Sequence, residues 1–294
     1  KEHHGKVDEK YVFFSVHMEN CARRTRGGQG MERMQRSPES LSLEIYDWGY
    51  AKKGPEWCSN VINPPFSRLY FILGGDAYFQ YGNCVLKQPF HPRICYLLPA
   101  NLTFRYACET QIEQMFFHIA LTRRNGQDIL RHMGKILACP YSEELLRTLK
   151  NALSTSKLDG RLQVQACLMQ VLAAVFSANE VMLPQKEYTP CVERVLSYIH
   201  THPSASLSLE KLAELAFVSQ TTLSKWFRRE VGMTVREYID EIIFTQAQVL
   251  LRNSKLSIAG ISEQLDFCDQ FYFSRRFRQR YQQSPRDYRK SSMI

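Results

Sequence analysis

The chain has 294 residues, 44% of them hydrophobic, and carries a formal net charge of +9. That length suggests about two domains, and the hydrophobic share excludes a disordered chain. Nine cysteines, an odd number without a CxxC pair, argue against a disulfide framework and against a zinc ribbon; with no apolar run of membrane-spanning length and no secretory leader, no membrane partner and a reducing cytoplasm are expected.

Residues 1–40 read as an N-terminal arm. Its glycine-rich basic stretch RRTRGGQGMERMQR, Arg23–Arg36, predicts an exposed loop, with a DNA-contacting arm as the alternative. Residues 41–125 then show short aromatic or β-branched runs: LEIYDWGY, RLYFIL, AYFQYG, ICYLLP, LTFRYA and QMFFHIAL. Gly74-Gly75, Gly82-Asn83, Pro89, Pro92 and Pro99 punctuate them, which predicts a small barrel or sandwich. Strand alternation puts Phe104 and Tyr106 on one face of their strand, and Gln114, Phe116 and His118 on one face of theirs. Trp48, Trp57, Arg68 and Tyr70 complete a candidate ligand-binding lining. An aromatic wall with few polar groups suits a small-molecule effector, and aromatic faces suit the C–H surfaces of a carbohydrate or related metabolite. The same aromatics can equally fill so small a barrel, leaving it a dimerisation module for a ligand-independent regulator.

Residues 126–182 are expected to be helical. SEELLRTLKNALST precedes RLQVQACLMQVLAAVFSANEV, in which Leu162, Gln165, Ala166, Met169, Leu172, Ala173 and Phe176 define one broad face for burial. Residues 183–189 read as a linker, and residues 190–294 as an all-α domain built on a repeat. Leu212, Ala213 and Val218 correspond to Ile261, Ser262 and Phe267, 49 positions later; Leu223, Phe227 and Val231 correspond to Phe273, Phe277 and Tyr281, 50 positions later. The i, i+4, i+8 spacing of the second set makes one apolar stripe on each of two helices. Opposite that stripe stand Gln220, Thr221, Ser224, Lys225 and Arg228 in the first copy, and Gln270, Phe271, Ser274, Arg275 and Arg278 in the second. Neither set contains an acid. Lys or Arg can address guanine, Gln can pair with adenine, and Phe or a Thr methyl can touch thymine; Arg228 and Arg278, a turn further on, are placed for phosphates. Phe271 can alternatively pack against Tyr272 or a neighbouring helix. Net charge does not pick out this half, because residues 187–294 hold 15 basic and 12 acidic side chains. Clustering does: from Arg275 to Lys290 there are seven basic residues and one acid.

Thr234 and Glu237 form a capping-box pattern ahead of the helix YIDEIIFTQAQVLL, and Thr189-Pro190 and Ser284-Pro285 each set a cap before a helix-starting proline. Over residues 189–290, LAELAFVSQTTLSKWFRREVGMTVREYI, AQVLLRNSKLSIAGISEQLDF and FYFSRRFRQRYQQSPRDYR resemble the DNA-binding domain of the AraC/XylS family of transcription regulators. The resemblance implies two recognition helices in successive major-groove segments of double-stranded promoter DNA. It also implies base contacts by Thr221, Ser224, Lys225, Gln270, Phe271 and Arg275, a homodimer formed through the preceding helices, and RNA polymerase as a partner if the regulator activates. Ile243, Ser262, Asp266 and Gln282 depart from the family pattern, the last two where glycine is usual. YFILGGDAYFQYGNCVLKQPFHPRICYLLPANLTFRY is similar, more weakly, to the cupin-like sensing domain of the same family. The expected architecture is therefore α+β and multidomain: an N-terminal cupin-like β-barrel, a helical linker region, and a C-terminal domain with two helix-turn-helix modules. A cupin-type enzyme with a DNA-binding appendage is the outlying alternative. Metal-dependent cupins place paired histidines on a strand, whereas His91 and His118 stand alone, so neither catalysis, a metal nor a cofactor is expected.

Overall fold

The computed structural model describes residues 40–82, 86–131, 133–182 and 188–292. The basic stretch Arg23–Arg36 and most of the linker at 183–189 lie outside them.

Two antiparallel sheets build the front of the molecule. The first has five strands in the order β1 (Leu41–Lys53), β8 (Ile112–Arg123), β3 (Ser67–Gly75), β6 (Ile94–Leu98) and β9 (Leu137–Pro140). The second has four: β2 (Ser59–Val61), β7 (Phe104–Ala107), β4 (Tyr78–Tyr81) and β5 (Gln88–Pro89). All six predicted runs are strands. β9 extends the first sheet into the segment expected to be helical, and β2 and β5 complete the second.

Alternation along the strands gives the large sheet two apolar faces. Leu69, Phe71, Cys95, Leu97, Met115, Phe117 and Ile119 pack beneath two helices, α1 (Glu143–Leu153) and α2 (Leu158–Ala178). Tyr70, Ile72, Tyr96 and Leu98 face the opposite way and meet Phe79, Phe90 and Phe104 inside the barrel.

α2 corrects the expected burial face. The packed side chains are Val164, Cys167, Leu168, Val171, Leu172 and Val175, while Leu162 and Met169 are exposed. This helix is apolar on most of its circumference, so periodicity cannot choose its inner side. It also has the length and hydropathy of a membrane span, contrary to the expectation of no such run; its packed stripe shows it serving as a core helix over the sheet.

Seven helices form the rear domain: α3 (Pro190–Thr201), α4 (Leu209–Leu215), α5 (Gln220–Val231), α6 (Val235–Asn253), α7 (Ile258–Gln264), α8 (Gln270–Tyr281) and α9 (Pro285–Ser292). Leu223, Phe227 and Val231 of α5, and Phe273, Phe277 and Tyr281 of α8, are buried in one core against α6. The capping box at Thr234 and Glu237 starts α6. Ile243, where the family pattern favours arginine, is buried in that core.

Both departures from glycine sit in left-handed backbone, Asp266 at φ 57° and Gln282 at φ 59°. Asp266 is secured there by Ser204 and Ser206, whose hydroxyls both donate to its Oδ2.

α6 also fastens the rear domain to the barrel. Arg131 pairs with Glu241, Gln248 Nε2 donates to the Asn63 carbonyl (3.4 Å), and Asn253 Nδ2 to the Tyr46 carbonyl (3.3 Å). Beside it, Asn125 Nδ2 donates to Glu193 Oε2 of α3 (3.1 Å). Gly126, at φ 85°, lies so close to His200 that a Cβ there would fall 2.3 Å from the ring.

Candidate functional site

The two outer faces predicted in the rear domain are presented equivalently. Ser219 caps α5 by accepting from the Thr222 amide (3.1 Å). Asp269 caps α8 by accepting from the Phe271 and Tyr272 amides, both at 2.7 Å; those hydrogen bonds hold its carboxyl below the usual range, with the Tyr272 amide contributing most. Gln220, Thr221, Ser224, Lys225 and Arg228 are exposed on α5, and Gln270, Phe271, Arg275 and Arg278 on α8, with Ser274 half-buried. Phe271 is 75% exposed, which removes the alternative that it packs beneath a neighbouring helix.

Among the described residues, Lys225, Arg228, Arg275 and Arg278 have no carboxylate within ion-pair distance, so their charge is available to a partner. Arg276, which sequence reasoning did not single out, turns inward instead. Its Nη2 meets Asp240 Oδ2 (2.6 Å) and its Nη1 donates to the Tyr272 hydroxyl (2.9 Å), locking α8 onto α6. The signal for it was present, because Arg276 lies one position before the buried Phe277.

Eight of the nine predicted barrel residues come together, and Trp48 does not. A β-bulge between Ile45 and Asp47 shifts the alternation of β1. Trp48 therefore turns to the helix side beside Leu162, where it is 48% exposed, and Asp47 takes the inward position. Within the barrel, the rings are largely committed to one another. Trp57 and Tyr106 lie 4.1 Å apart by centroids, Phe79 and Phe90 4.7 Å, and Phe90 and Tyr96 4.9 Å.

One end of the interior is polar. β3 and β8 set Arg68 opposite His118, Tyr70 opposite Phe116 and Ile72 opposite Gln114. Phe66, just before β3, stacks on the His118 ring at 4.3 Å. The Arg68 guanidinium lies 5.0 Å from the Phe66 centroid and 5.5 Å from that of Phe104. Arg252, from the end of α6, approaches the same Phe66 ring at 5.4 Å. Burial drives the His118 imidazole down to about 3, with Arg68 and Arg252 adding to the fall and Asp47 opposing it. The Asp47 Oδ2 to His118 Nδ1 separation, 3.5 Å, is long for a hydrogen bond, consistent with a neutral ring. Arg68 Nη1, Gln114 Oε1 and His118 Nδ1 are buried without a hydrogen-bond partner. Phe66, Asp47 and Arg252 were not legible as members of this site, because packing between distant segments assembles it. Among the described residues, no group of three or more His, Cys, Asp or Glu side chains is arranged to hold a metal.

A helix-turn-helix domain family matches residues 212–291. The Msm operon regulatory protein of Streptococcus mutans is 25% identical over 267 residues, 86% of this chain and 92% of its own length. The transcriptional activator Btr of Bacillus subtilis is 25% identical over 218 residues, 70% of this chain; the match spans only 41% of Btr. In fold, the chain is similar to ToxT of Vibrio cholerae crystallised with a bound unsaturated fatty acid, with a TM-score of 0.52 at 16% identity, covering 87% of this chain and 97% of that one.

Proposed function

Because the chain belongs to the AraC/XylS family of DNA-binding transcription regulators, we propose that it reads promoter DNA with α5 and α8 and senses a small molecule with its barrel. The observation that carries this reading is the pair of exposed, acid-free faces on two helices buried and capped in the same way. α6 holds them apart as one rigid spacer, and one DNA turn, roughly 34 Å, is the natural separation for two such readers. Thr221, Ser224, Lys225, Gln270, Phe271 and Arg275 touch base edges; Arg228 and Arg278 touch phosphates.

The exposed flank of α2, with Leu158, Leu162 and Met169, is the surface offered to a second subunit in a homodimer. RNA polymerase is a further partner if the regulator activates. The setting is the cytoplasm, and no catalytic step is assigned to the barrel. A sugar or related metabolite would need open aromatic faces. The polar end at Arg68, Gln114 and His118 is the part of the interior with hydrogen-bonding capacity to spare. Ring-on-ring packing favours one second reading, a barrel filled by its own side chains that serves dimerisation alone.

Fluorescence-anisotropy titration against DNA upstream of the gene and its neighbours, with scrambled duplex as reference and at several salt concentrations, tests the reading. Preference for one segment, abolished by combined Lys225→Ala and Arg275→Ala, is expected. Weak, strongly salt-dependent binding to every duplex would overturn it.

A further inference from the structure

We propose that Asp266 is a positioning residue for DNA recognition: it clasps the α3–α4 loop of the first helix-turn-helix module to the turn of the second, and so fixes the operator spacing that α5 and α8 accept together. The inference rests on the DNA-reading role proposed above and adds the spacing that such a reader selects.

The two modules pack on α6 in one core, but the second turn is also tied directly to the first module. The Ser204 hydroxyl donates to Asp266 Oδ2 (2.6 Å), and the Ser206 hydroxyl donates to the same oxygen. Between those serines, the Ala205 amide donates to the Leu265 carbonyl (2.9 Å), and the Ala205 carbonyl accepts from Arg236 Nη1 (3.2 Å) at the start of α6. Arg236 Nη2 then meets Asp240 Oδ1 (3.3 Å), and Asp240 Oδ2 meets Arg276 Nη2 of α8 (2.6 Å). The second reader is thus held at its turn and along the flank of its recognition helix, and both holds lead back to Ala205.

The equivalent position in the first module is Phe217. Its backbone is left-handed too, at φ 56° against 57° for Asp266. Phe217 is 84% exposed and meets Arg194 of its own module, 5.2 Å from the ring centroid. A left-handed residue at this turn therefore does not require a link to the other module, and the link at Asp266 is an addition. A Cβ is disfavoured in such backbone, whereas a carboxylate accepting two hydroxyls gains charge-assisted hydrogen bonds. Ser206 and Asp266 are exposed, and hydrogen bonds made in contact with water add little to stability. Their effect is on geometry. One inserted base pair moves the second site by about 3.4 Å along the duplex and about 35° around it. Two readers clasped in one orientation cannot follow that displacement, and the gain from engaging both at once is lost. Readers joined through α6 alone follow part of it.

Selection from randomised duplexes by the full chain, followed by fluorescence anisotropy on the enriched site, tests the clasp. Two sequence blocks at one spacing are expected for the unaltered chain, and one base pair inserted between them should weaken binding by about tenfold or more. Asp266→Gly suits the left-handed backbone, and Ser204→Ala combined with Ser206→Ala leaves Asp266 in place. Each of these variants should cut the insertion penalty to about threefold or less. Base changes inside either block should carry the same penalty in every variant, a result that an unfolded second module would not give. Hydrogen exchange at the Ala205 amide should quicken by about tenfold or more in both variants. Several spacings enriched by the unaltered chain, an undiminished insertion penalty in the variants, or an Ala205 amide that exchanges as slowly as before would each sink the inference and leave the reader intact. No enriched site for the unaltered chain would remove the DNA-reading proposal, and this inference with it.

Discussion

Asp269 at the start of α8 and Asp128 behind the barrel each accept two backbone N–H groups, yet their carboxyls move in opposite directions. Asp269 stands at an exposed helix start, and its hydrogen bonds from Tyr272 and Phe271 keep it ionised, below the usual range. Asp128 Oδ1 accepts from Leu121 (3.2 Å) and Leu130 (3.0 Å), but burial outweighs both and raises its carboxyl to about 6. The same contrast runs through both regions. In the reader, Glu237 and Asp266 are also held ionised by hydrogen bonds at helix and turn boundaries. In the barrel, His118 is neutral by burial and Nη1 of the buried Arg68 has no acceptor. The reader's boundary carboxylates are held ionised, and Lys225, Arg228, Arg275 and Arg278 turn their charge outward, as on a surface that meets DNA. The barrel keeps unpartnered polar atoms inside, at Arg68, Gln114 and His118.

The largest expected effect breaks the reader's core. Phe277 contacts the rings of Phe244, Phe273, Tyr281 and Tyr288, whereas the equivalent Phe227 contacts Tyr238. Phe277→Ala should cost about 3–5 kcal/mol, the range for a buried phenylalanine, and more than Phe227→Ala. Chemical denaturation followed by circular dichroism checks the order; a larger loss at Phe227 would show that the second module is the looser of the two.

Acidification tests the effect of burial on both sides, at His118 in the barrel and at His200 in the reader. Folded His118 releases its proton down to about 3 and folded His200 down to about 4, against 6.5 in the unfolded chain. Their contribution is fully present above pH 6.5 and is lost as pH falls, by up to about 1.4 kcal/mol per unit for each ring. Asp128 works the other way. Folded, it holds its proton up to about 6, against 3.8 unfolded, so its contribution is present at low pH and is lost as pH rises through about 6. His118→Gln should therefore flatten the loss of stability between pH 6.5 and 4.5, and Asp128→Asn should steepen it. Thermal melts across that window read both slopes, and an unchanged slope in His118→Gln would mean that the folded ring takes up a proton.

On the reader's outer face the expected change is smaller and specific. Arg275→Ala should cost about 1–3 kcal/mol at one base position and relax specificity there, while Arg278→Ala should weaken all sequences alike and lower the salt slope by about 1. Anisotropy with single-base operator variants distinguishes them. A uniform loss from Arg275→Ala would reassign that side chain to phosphate.

How much of this was legible depended on whether the information was local. The stripes Leu223–Phe227–Val231 and Phe273–Phe277–Tyr281, the capping box at Thr234 and the aromatic strands are short-range patterns, and all fold as read. β2, β5 and β9, two to four residues each, are too short to show a period. Trp48 was misplaced because one bulge reverses strand parity without any mark in composition. The buried side of α2 was misread because an all-round apolar helix offers no preferred face. The arginine pair at Phe66 was invisible, since Arg252 lies on a helix whose local pattern says nothing of the barrel it meets.

The smallest effect concerns the left-handed residues that close the two recognition helices. Gly232 ends α5 at φ 91° and Gln282 ends α8 at φ 59°. Their amides donate to the Arg228 and Arg278 carbonyls respectively, at 3.0 and 2.8 Å, so the caps are equivalent. A residue with a Cβ is strained there by roughly 1–2 kcal/mol; Gln282 recovers part of that through Nε2, which donates to the Gln279 carbonyl (3.1 Å). Gln282→Gly removes the strain but also forfeits that hydrogen bond and adds freedom to the unfolded chain, for a net gain of about 0.5 kcal/mol. Gly232→Ala should cost about 1 kcal/mol by the reverse argument, and entirely through the backbone, because a Cβ there would meet nothing within 4 Å. Urea denaturation with an unchanged m-value reads both. If Gln282→Gly destabilised the chain, the glutamine side chain would be part of the cap, and the second module would close its recognition helix by a device that the first does not use.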